Sequence, residues 1–432
     1  MGTGKKVEVD YISRVEGQGS LSIGISGDGE IEELKLSIFE PPKFFEAFLV
    51  GRKFDEVMEL TSRICGICPV THQITALKAV ENALDLESSK QTRDLRKLLA
   101  MSGHISSHIL SLYFLSLPDF LGYKSVIEMA KDHLGLLKRG LRLKKLGNDL
   151  TELIGGRSVH PVTAVLRGFT KIPSRDKMES LKKKLSDAKN DALETIDMFA
   201  GIEVPLFIRK CEHIALSSPD EYAINEGLLT STEGLNITPK EYRNYVEEKQ
   251  VPYSTAKHST VKSRKSYLVG PLARVNLNFN NLSKDTKRSA RSVGFTFPSF
   301  NPFHSHLARA IEVVSHIDES IEIIDGLSYR EEDLSVSAKA GEGYAITEAP
   351  RGINYHNYRF NKKGVVQKAE IVPPTCQNTK NIEMDLWQFV PQILDLPNDE
   401  ITRLCEMLIR AYDPCISCSV HCLKLNIHKL NC

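Results

Sequence analysis

Two Cys-x-x-Cys pairs near opposite ends of this 432-residue chain constrain its fold more than any other feature. The first pair is Cys65 and Cys68, and the second is Cys415 and Cys418. Thiolates are soft ligands that zinc, iron and nickel accept, and two sulfurs three residues apart on a turn can point the same way. Four such ligands complete a tetrahedral set. The fold is therefore predicted to bring both ends of the chain to one metal site.

A set of four cysteines is most often a structural zinc site. Structural zinc usually closes a short segment, whereas most of this chain separates the two pairs. We therefore expect a site that a whole folded domain assembles. A zinc-stapled scaffold without enzymatic activity stays as an alternative, and metal analysis discriminates between the two.

The residues around the cysteines resemble the two signature motifs of the large subunit of nickel-iron hydrogenases. Residues 63–72 are Arg-Ile-Cys-Gly-Ile-Cys-Pro-Val-Thr-His, and residues 413–421 are Asp-Pro-Cys-Ile-Ser-Cys-Ser-Val-His. Four further blocks resemble the family and follow its order: Arg14-Val15-Glu16-Gly17, Gly155-Gly156-Arg157 with His160-Pro161, Gly270-Pro271-Leu272-Ala273-Arg274, and Glu348-Ala349-Pro350-Arg351-Gly352. The short length resembles the cytosolic multi-subunit members, such as the sulfhydrogenase, F420-reducing and viologen-reducing types.

The resemblance implies a nickel-iron centre held by the four cysteines. Cys65 and Cys415 correspond to terminal nickel ligands, while Cys68 and Cys418 correspond to bridges between nickel and an iron that carries cyanide and carbon monoxide. The implied activity is the reversible heterolytic cleavage of H2 to protons and electrons. A quinone-site subunit related to respiratory complex I is a second alternative, but such relatives generally lack the four cysteines.

Two charged residues are the implied catalytic groups. Glu16 matches the family's proton acceptor, expected beside Cys415, because a buried thiol needs a titratable group within hydrogen-bond reach. Its alternative is a surface glutamate paired with Arg14. Arg351 matches a guanidinium held over the open metal position, where it can polarise H2 or orient a base, and its alternative is a structural ion pair. Many relatives carry an aspartate nearby, where the best-matching residue here is Ser107.

Two further residues are expected around the centre. His72 is predicted to donate a hydrogen bond to the sulfur of Cys68, with a satisfied core histidine as an almost equal alternative. Relatives often have Ser or Thr after Val-Pro and Trp where Cys376 falls, so the sequence departs from the family here. Hydrogen bonding to one cyanide then depends on Thr375.

A magnesium site is implied next to the nickel-iron centre. Glu46 lies among aromatic residues on a predicted helix, where a lone carboxylate is costly without a partner. The resemblance makes Glu46 and His421 ligands of this ion, and Asn378 is a looser match that would supply its backbone carbonyl. His104 and His108 have the i, i+4 spacing of a metal pair. We favour packing for them, since the sequence implies no third ligand.

The net charge and the arrangement of the cysteines restrict the kinds of partner that this chain is expected to have. The 56 Lys and Arg nearly cancel the 55 Asp and Glu, which gives no field to attract nucleic acid or an anionic membrane. The remaining cysteines do not form a ferredoxin-type run, so electrons are predicted to leave through an iron-sulfur small subunit and further electron-transfer subunits. No apolar run approaches the roughly 20 residues needed to span a bilayer. A cytoplasmic location is expected.

The periodicity predicts a mainly α fold with small β elements (α+β), and the resemblance implies a long-helix bundle. Alternating apolar residues on either side of Gly27-Asp28-Gly29 predict a hairpin within 21–38. Helical spacing predicts helices over 95–112, 178–199 with Ser174 as N-cap, and 306–324. Shorter β-leaning segments are expected over 335–372. We predict one domain, 1–432. The resemblance suggests that a maturation protease removes an extension, 422–432, after His421, and the alternative is a permanent packed tail.

Overall fold

The computed structural model describes residues 5–420. Its α-helices are α1 (Phe45–Leu49), α2 (Val57–Ser62), α3 (Pro69–Ala83), α4 (Lys90–Ile109), α5 (Leu117–Phe120), α6 (Val126–Asp132), α7 (Leu134–Gly155), α8 (Arg175–Ala200), α9 (Tyr242–Tyr245), α10 (Pro271–Asn278), α11 (Lys284–Ser292), α12 (Ser305–Gly326), α13 (Pro374–Phe389), α14 (Asn398–Tyr412) and α15 (Ile416–Ser419). A π-helical stretch, Leu110–Ser116, joins α4 to α5.

The strands form small sheets around the helices. They are β1 (Lys5–Val9), β2 (Gly19–Ile25), β3 (Ile31–Ile38), β4 (Ala164–Val165), β5 (Gly168–Phe169), β6 (Glu212–Ser217), β7 (Leu228–Ser231), β8 (Asn236–Ile237), β9 (Val246–Gln250), β10 (Lys257–Val261), β11 (Tyr267–Leu268), β12 (Gly341–Ala349), β13 (Gly352–Phe360) and β14 (Val366–Val372). The orders are β1-β2-β3, β12-β13-β14 and β11-β6-β7-β8, with β9-β10 and β4-β5 as separate pairs. Only β11 and β6 pair in parallel among the described strands. The prediction of a mainly α fold with small β elements is confirmed.

Helices α4, α7, α8 and α12 pack together as the central bundle. Helix α4 begins after Ser89, whose hydroxyl accepts a hydrogen bond from the backbone N–H of Thr92. Its leucines Leu95, Leu98 and Leu99 are fully buried, as the helical spacing predicted. Gly147 of α7 permits close contact with α4, since a Cβ there would lie 2.9 Å from the Ser102 carbonyl oxygen. A larger residue would push these two helices apart.

The helical stretch Lys90–Phe120 is long and apolar enough to cross a membrane. The expectation that no apolar stretch approaches this length is therefore wrong. However, 72% of its most apolar window is buried inside the fold. A core helix passes the same test of length and composition. Burial by α7 and α12 accounts for its apolar character here.

The third long helix predicted from the sequence is α8. It buries Met178, Leu181 and Leu185 on one face and ends at Gly201, as expected. Ser174 stands at the N-cap position, but its side chain accepts no hydrogen bond from the first turn. The predicted N-cap position is therefore confirmed, and packing of the apolar face rather than a capping hydrogen bond stabilises the start of the helix.

Two antiparallel sheets flank the bundle. In the hairpin of β2 and β3, Leu21 pairs with Leu36 and Ile23 with Leu34, which confirms the predicted hairpin. Strands β12, β13 and β14 all fall within 335–372, which confirms the β segments predicted there. Nearly all of β13 is buried, so this strand has no fully polar face.

The ends of the described chain meet beside these sheets. Glu16 and Cys415 form a parallel β-bridge, in which the N–H of Ile416 donates to the Glu16 carbonyl oxygen at 2.8 Å. Helix α3 packs on β12 and β13, whose connecting turn holds Arg351. The largest hydrophobic cluster runs from Val7 to Cys418. The fold therefore carries both cysteine pairs into one interior.

Candidate metal centre

The four cysteine sulfurs lie together in the interior, and we call this group the thiolate site. The Sγ atoms of Cys65 and Cys415 are 3.2 Å apart, those of Cys68 and Cys418 are 3.6 Å apart, and those of Cys415 and Cys418 are 3.2 Å apart. All four lie within 4.8 Å of one another, and all four residues are buried. The structure thus brings together the two pairs that most of the chain separates.

The first pair belongs to the turn before α3. Cys68 is the N-cap residue of this 15-residue helix, and Pro69 follows in its first turn. The N–H of Ile67 donates to the Cys65 sulfur at 3.3 Å. Backbone N–H groups and the positive end of a helix dipole both favour a thiolate over a thiol. The local fold therefore favours ionisation of Cys68.

The second pair follows α14, which ends at Asp413 in a left-handed conformation (φ 52°). Glu16 and Gly17 approach this turn from the other end of the chain. A Cβ on Gly17 would lie 2.7 Å from the Cβ of Ile416, and its φ of +92° also suits glycine. The Arg-x-Glu-Gly element therefore needs its glycine to press against the Cys415 turn.

Glu16 has the position that the sequence predicted, next to Cys415. Its Oε2 accepts from the Cys415 thiol at 3.1 Å and from the N–H of Ser417 at 3.0 Å, and the Ser417 hydroxyl bonds to Oε1. Arg14 forms its ion pair with Asp119 instead. The alternative, in which Glu16 pairs with Arg14 at the surface, is therefore wrong.

Arg351 is buried and held from two sides. Its Nη1 donates to the Ser107 hydroxyl at 3.0 Å, its Nε donates to the Asp413 carbonyl oxygen, and its Nη2 lies 2.9 Å from the Asp413 carboxylate. Burial lowers the pKa of Arg351, but Asp413 and the thiols of Cys415 and Cys68 raise it more, so its pKa lies above its ordinary value. The guanidinium is a permanent positive charge facing the sulfurs.

The turn that carries Arg351 is fixed by Arg274. The guanidinium of Arg274 donates to the carbonyl oxygens of Ala349 at 2.8 Å and Pro350 at 3.1 Å, and it pairs with the Glu348 carboxylate at 2.9 Å. Two sequence blocks that resemble the family therefore contact each other directly. Arg274 supports the position of Arg351 through the backbone of the turn.

Thr375 and His72 also lie beside the sulfurs. The N–H of Cys415 donates to the Thr375 hydroxyl oxygen at 3.0 Å. The imidazole of His72 lowers the pKa of Cys68 as a minor contribution, and its Nδ1 lies 3.2 Å from Nε2 of His356. The Nδ1 of His356 in turn contacts the hydroxyl of Tyr358 at 2.7 Å. His72 thus begins a buried hydrogen-bonded row, whichever tautomer each ring adopts.

The predicted magnesium ligands are placed unevenly. Glu46 accepts from the N–H of Ile371 at 2.7 Å through Oε1, while its buried Oε2 has no partner among the described residues. Asn378 lies inside α13, and its side chain donates to and accepts from the backbone of Val269. His421 lies outside the described residues. Oε2 of Glu46 is therefore an unpartnered ligand atom among the described residues.

The thiolate site has the chemistry of a cation site. Hydrogen bonds from Cys415, Cys418 and Cys65 hold the pKa of Cys68 well below its usual range, and sharing with the other thiols raises the pKa of Cys415 well above it. Four buried sulfurs cannot all ionise around one guanidinium, because their charges repel one another. A bound metal replaces the shared protons. The donor set therefore fits nickel and iron.

Three residues at the site escaped the sequence analysis. Asp413 and Ser417 lie within the second cysteine motif, so their positions close to Cys415 in the sequence were a signal of contact with the site. His356 gave none, because nearly all of β13 is buried and its pattern does not separate a residue beside the site from the core. Only the pairing of α3 with β13 brings it to His72.

Comparison with known proteins agrees with this geometry. A profile of the family described as nickel-dependent hydrogenase matches residues 43–137 and 216–421. The chain belongs to the nickel-dependent hydrogenase family. It is 35% identical to sulfhydrogenase 1 subunit alpha of Pyrococcus furiosus over 97% of this chain and 98% of that protein. It is 31% identical to sulfhydrogenase 2 subunit alpha of the same organism, over 97% of this chain and all of that one.

The fold is also that of solved hydrogenases. A crystal structure of an NAD+-reducing [NiFe]-hydrogenase in the H2-reduced state superposes with a TM-score of 0.84 at 24% identity, covering 96% of this chain and 99% of that one. The [NiFeSe]-hydrogenase of Dm. baculatum gives a TM-score of 0.79 at 20% identity, covering 97% and 100%. This hydrogenase chain is thus a catalytic large subunit that activates H2 at a nickel-iron site. Neither the zinc-stapled scaffold nor the quinone-site alternative gains support.

Proposed function

We propose that the thiolate site holds nickel through Cys65 and Cys415 as terminal ligands, and that Cys68 and Cys418 bridge nickel to an iron carrying cyanide and carbon monoxide. The observation that carries this proposal is the convergence of four buried sulfurs within 4.8 Å. When bound, this centre supplies the redox chemistry of H2 cleavage. The surrounding residues handle protons, charge and position.

Glu16 receives the proton that leaves the site. Its Oε2 is 3.1 Å from the Cys415 sulfur, which is within the reach needed for direct transfer. The N–H of Ser417 fixes the same oxygen at 3.0 Å. A carboxylate held this way accepts a proton from the thiol and can pass it outward, because Glu16 is only partly buried.

Arg351 supplies a fixed positive charge beside the reacting position. Ser107 and Asp413 hold its guanidinium, so it needs no reorganisation when charge develops during the reaction. Thr375 fixes the backbone of Cys415 by accepting its N–H, which leaves the hydroxyl hydrogen free to donate to a cyanide. His72 adjusts the electron density at the Cys68 sulfur.

A magnesium ion is proposed beside Glu46, which has a buried carboxylate oxygen without a partner among the described residues. The N–H of Lys43 donates to the Val420 carbonyl oxygen at 3.0 Å, so the residue before His421 lies at the start of the segment that carries Glu46. Asn378 stays a looser prediction through its backbone carbonyl. Magnesium content should fall in Glu46→Gln and be unchanged in Glu40→Gln.

The chain is proposed to work in a cytoplasmic complex with an iron-sulfur small subunit and further electron-transfer subunits. Outside the thiolate site, the cysteines of residues 5–420 form no group that could ligate an iron-sulfur cluster. The relatives named above are alpha subunits of sulfhydrogenases.

Removal of residues 422–432 by a maturation protease is likewise a proposal. Intact-mass measurement of active enzyme checks it by the presence or absence of Cys432.

The deciding experiment is metal analysis and H2-dependent dye reduction on the purified complex. Nickel together with iron, with activity that scales with nickel content across preparations, is the expected result. Infrared bands of cyanide and carbon monoxide test the ligands of the iron independently. Zinc as the only metal on the four sulfurs, with no dye reduction, would refute the assignment.

A further inference from the structure

Two pairs of metal-ligand side chains face each other inside the bundle, away from the cysteines. His104 and His108 are spaced i, i+4 on α4, and Glu312 and His316 are spaced i, i+4 on α12. Each offers a ligand atom within 4.8 Å of the other three, and all four are buried. We call them the histidine cluster. The sequence favoured packing for the first pair because no third ligand was implied, and the fold supplies candidates for one.

The hydrogen bonds of the cluster determine which nitrogens carry lone pairs. Nε2 of His104 lies 2.9 Å from the Glu348 carbonyl oxygen, which only accepts, so this nitrogen is the donor. Nε2 of His108 lies 2.8 Å from Oε2 of Glu312, a carboxylate that Arg274 keeps ionised, so it donates as well. Nδ1 of both rings is therefore a bare acceptor.

Those acceptors have no partner within residues 5–420. Nδ1 of His104, Nδ1 of His108 and both nitrogens of His316 are buried without a hydrogen bond from the described protein atoms. Burial lowers the pKa of His108 to about 4 and that of His316 to about 3, so these rings are neutral at neutral pH. Unsatisfied buried acceptors each cost about 1–3 kcal/mol. Three of them in one place need an explanation.

We propose that the histidine cluster binds a divalent first-row cation of the zinc type, with His104, His108 and His316 as its ligands. Neutral imidazoles suit such cations, and three of them leave a fourth position for water. The second nitrogen of a metal-bound imidazole is normally fixed by a carbonyl or carboxylate. The Glu348 carbonyl does this for His104, and Glu312 does it for His108.

Glu312 orients His108 in this site and does not bind the ion, because both of its carboxylate oxygens already accept hydrogen bonds. Arg274 donates to both of them, at 2.6 and 2.8 Å, and the Tyr222 hydroxyl donates to Oε1 at 2.6 Å. Arg274 also faces Glu348, so one guanidinium meets two carboxylates here. Arg309 adds a further positive charge near Glu312. Because these guanidiniums neutralise the carboxylates, the three imidazole nitrogens must bind the cation.

The ion would link α4 to α12 next to Ser107, which holds Arg351. His108 follows Ser107, whose hydroxyl holds the Arg351 guanidinium. A metal link between the two helices fixes Ser107 in that position. The histidine cluster therefore has a positioning role for the H2 site, and its occupancy does not depend on the roles assigned to the cysteines.

The test is element analysis and zinc-edge X-ray absorption on the purified complex, comparing wild type with His104→Phe, His316→Phe and His316→Gln. We expect about one additional divalent ion per chain, bound by nitrogen and oxygen at about 2.0–2.1 Å. Each variant should lose that ion while keeping its nickel. Retained nickel shows that the variant has folded, and sulfur scattering at about 2.3 Å would reveal zinc in the thiolate site instead.

His306→Phe is the matched control. His306 is also buried on α12, with Nδ1 bonded to the Phe303 carbonyl oxygen at 2.9 Å and Nε2 without a described partner. It faces aromatic rings, so its loss should leave the additional ion in place. Nickel-loaded wild type without the additional ion would overturn the proposal. So would an ion that survives both His104→Phe and His316→Phe.

Discussion

The thiolate site and the histidine cluster each place four ligand side chains within 4.8 Å in the interior, yet they are built in different ways. The thiolate site is formed by two turns from opposite ends of the chain, each with a recognisable motif. The histidine cluster is formed by facing i, i+4 pairs on two long helices, and nothing around those residues distinguishes them from core positions. A site made of turns carries its own sequence signal, whereas a site made of helix faces depends on how the helices pack.

The electrostatics of the two regions differ as well. The sulfurs must share protons or bind metal, because Arg351 alone cannot balance four thiolates. The histidine cluster consists of neutral rings beside ion pairs that already balance, Arg274 with Glu312 and Glu348. In the first region a metal would thus replace the shared protons, while in the second it would satisfy lone pairs. Loss of metal should therefore affect the two regions very differently.

The largest effect is expected at the thiolate site. Cys65→Ala or Cys415→Ala should reduce nickel content and H2-dependent dye reduction to background, because a terminal ligand is lost from a set of four. Cys405→Ala is the control, since Cys405 is equally buried on α14 but does not belong to the thiolate site. A Cys65→Ala enzyme with normal nickel and activity would contradict the ligand assignment.

The next effect concerns the fixed charge beside the sulfurs. Arg351→Lys should keep its nickel but lose about 100- to 1,000-fold in turnover, since an ammonium cannot reach Ser107 and Asp413 together. Dye reduction normalised to nickel measures this. Arg359→Lys, on the exposed side of β13, should change turnover less than twofold. Equal turnover in the two variants would make Arg351 a purely structural ion pair.

Proton transfer gives the third prediction. Glu16→Gln should preserve nickel and iron but slow hydrogen-deuterium exchange by about a hundredfold, because the amide cannot take the Cys415 proton. Mass spectrometry of the isotopic hydrogen gas measures the rate. The exposed Glu8→Gln is the control. Unchanged exchange in Glu16→Gln would mean that protons leave the sulfurs by another route.

The smallest effect separates the helical interior from the metal centre. Burial lowers the pKa of His306 to about 3, so its contribution to stability is present above its ordinary value of 6.5 and is lost as the pH falls from there towards 3. His306→Phe should therefore make the loss of stability on acidification shallower, by at most about 1.4 kcal/mol per pH unit.

The pH dependence of the thermal unfolding midpoint of the complex measures this slope. His133→Phe serves as the control, because His133 is only half-buried at the end of α6. A steeper slope in His306→Phe than in wild type would contradict the sign of the effect.

The comparison also explains which parts of the site were predictable. Glu16, Arg351 and Thr375 are found beside the sulfurs because they belong to short blocks whose backbone conformation is local, such as the Gly17 turn. His356 and His316 lie on largely buried parts of β13 and α12, where hydrophobic periodicity cannot distinguish a functional polar residue from the core.

The sequence by itself determined the ligand chemistry of the H2 site, the hairpin of β2 and β3, and the long helices, because cysteine motifs and hydrophobic periodicity act over short stretches of chain. Tertiary structure alone decided that Arg14 pairs with Asp119 and not with Glu16. It also decided that α12 brings His316 to the pair on α4. Such contacts join residues that are distant in the chain, and their free energy depends on packing that no local pattern specifies.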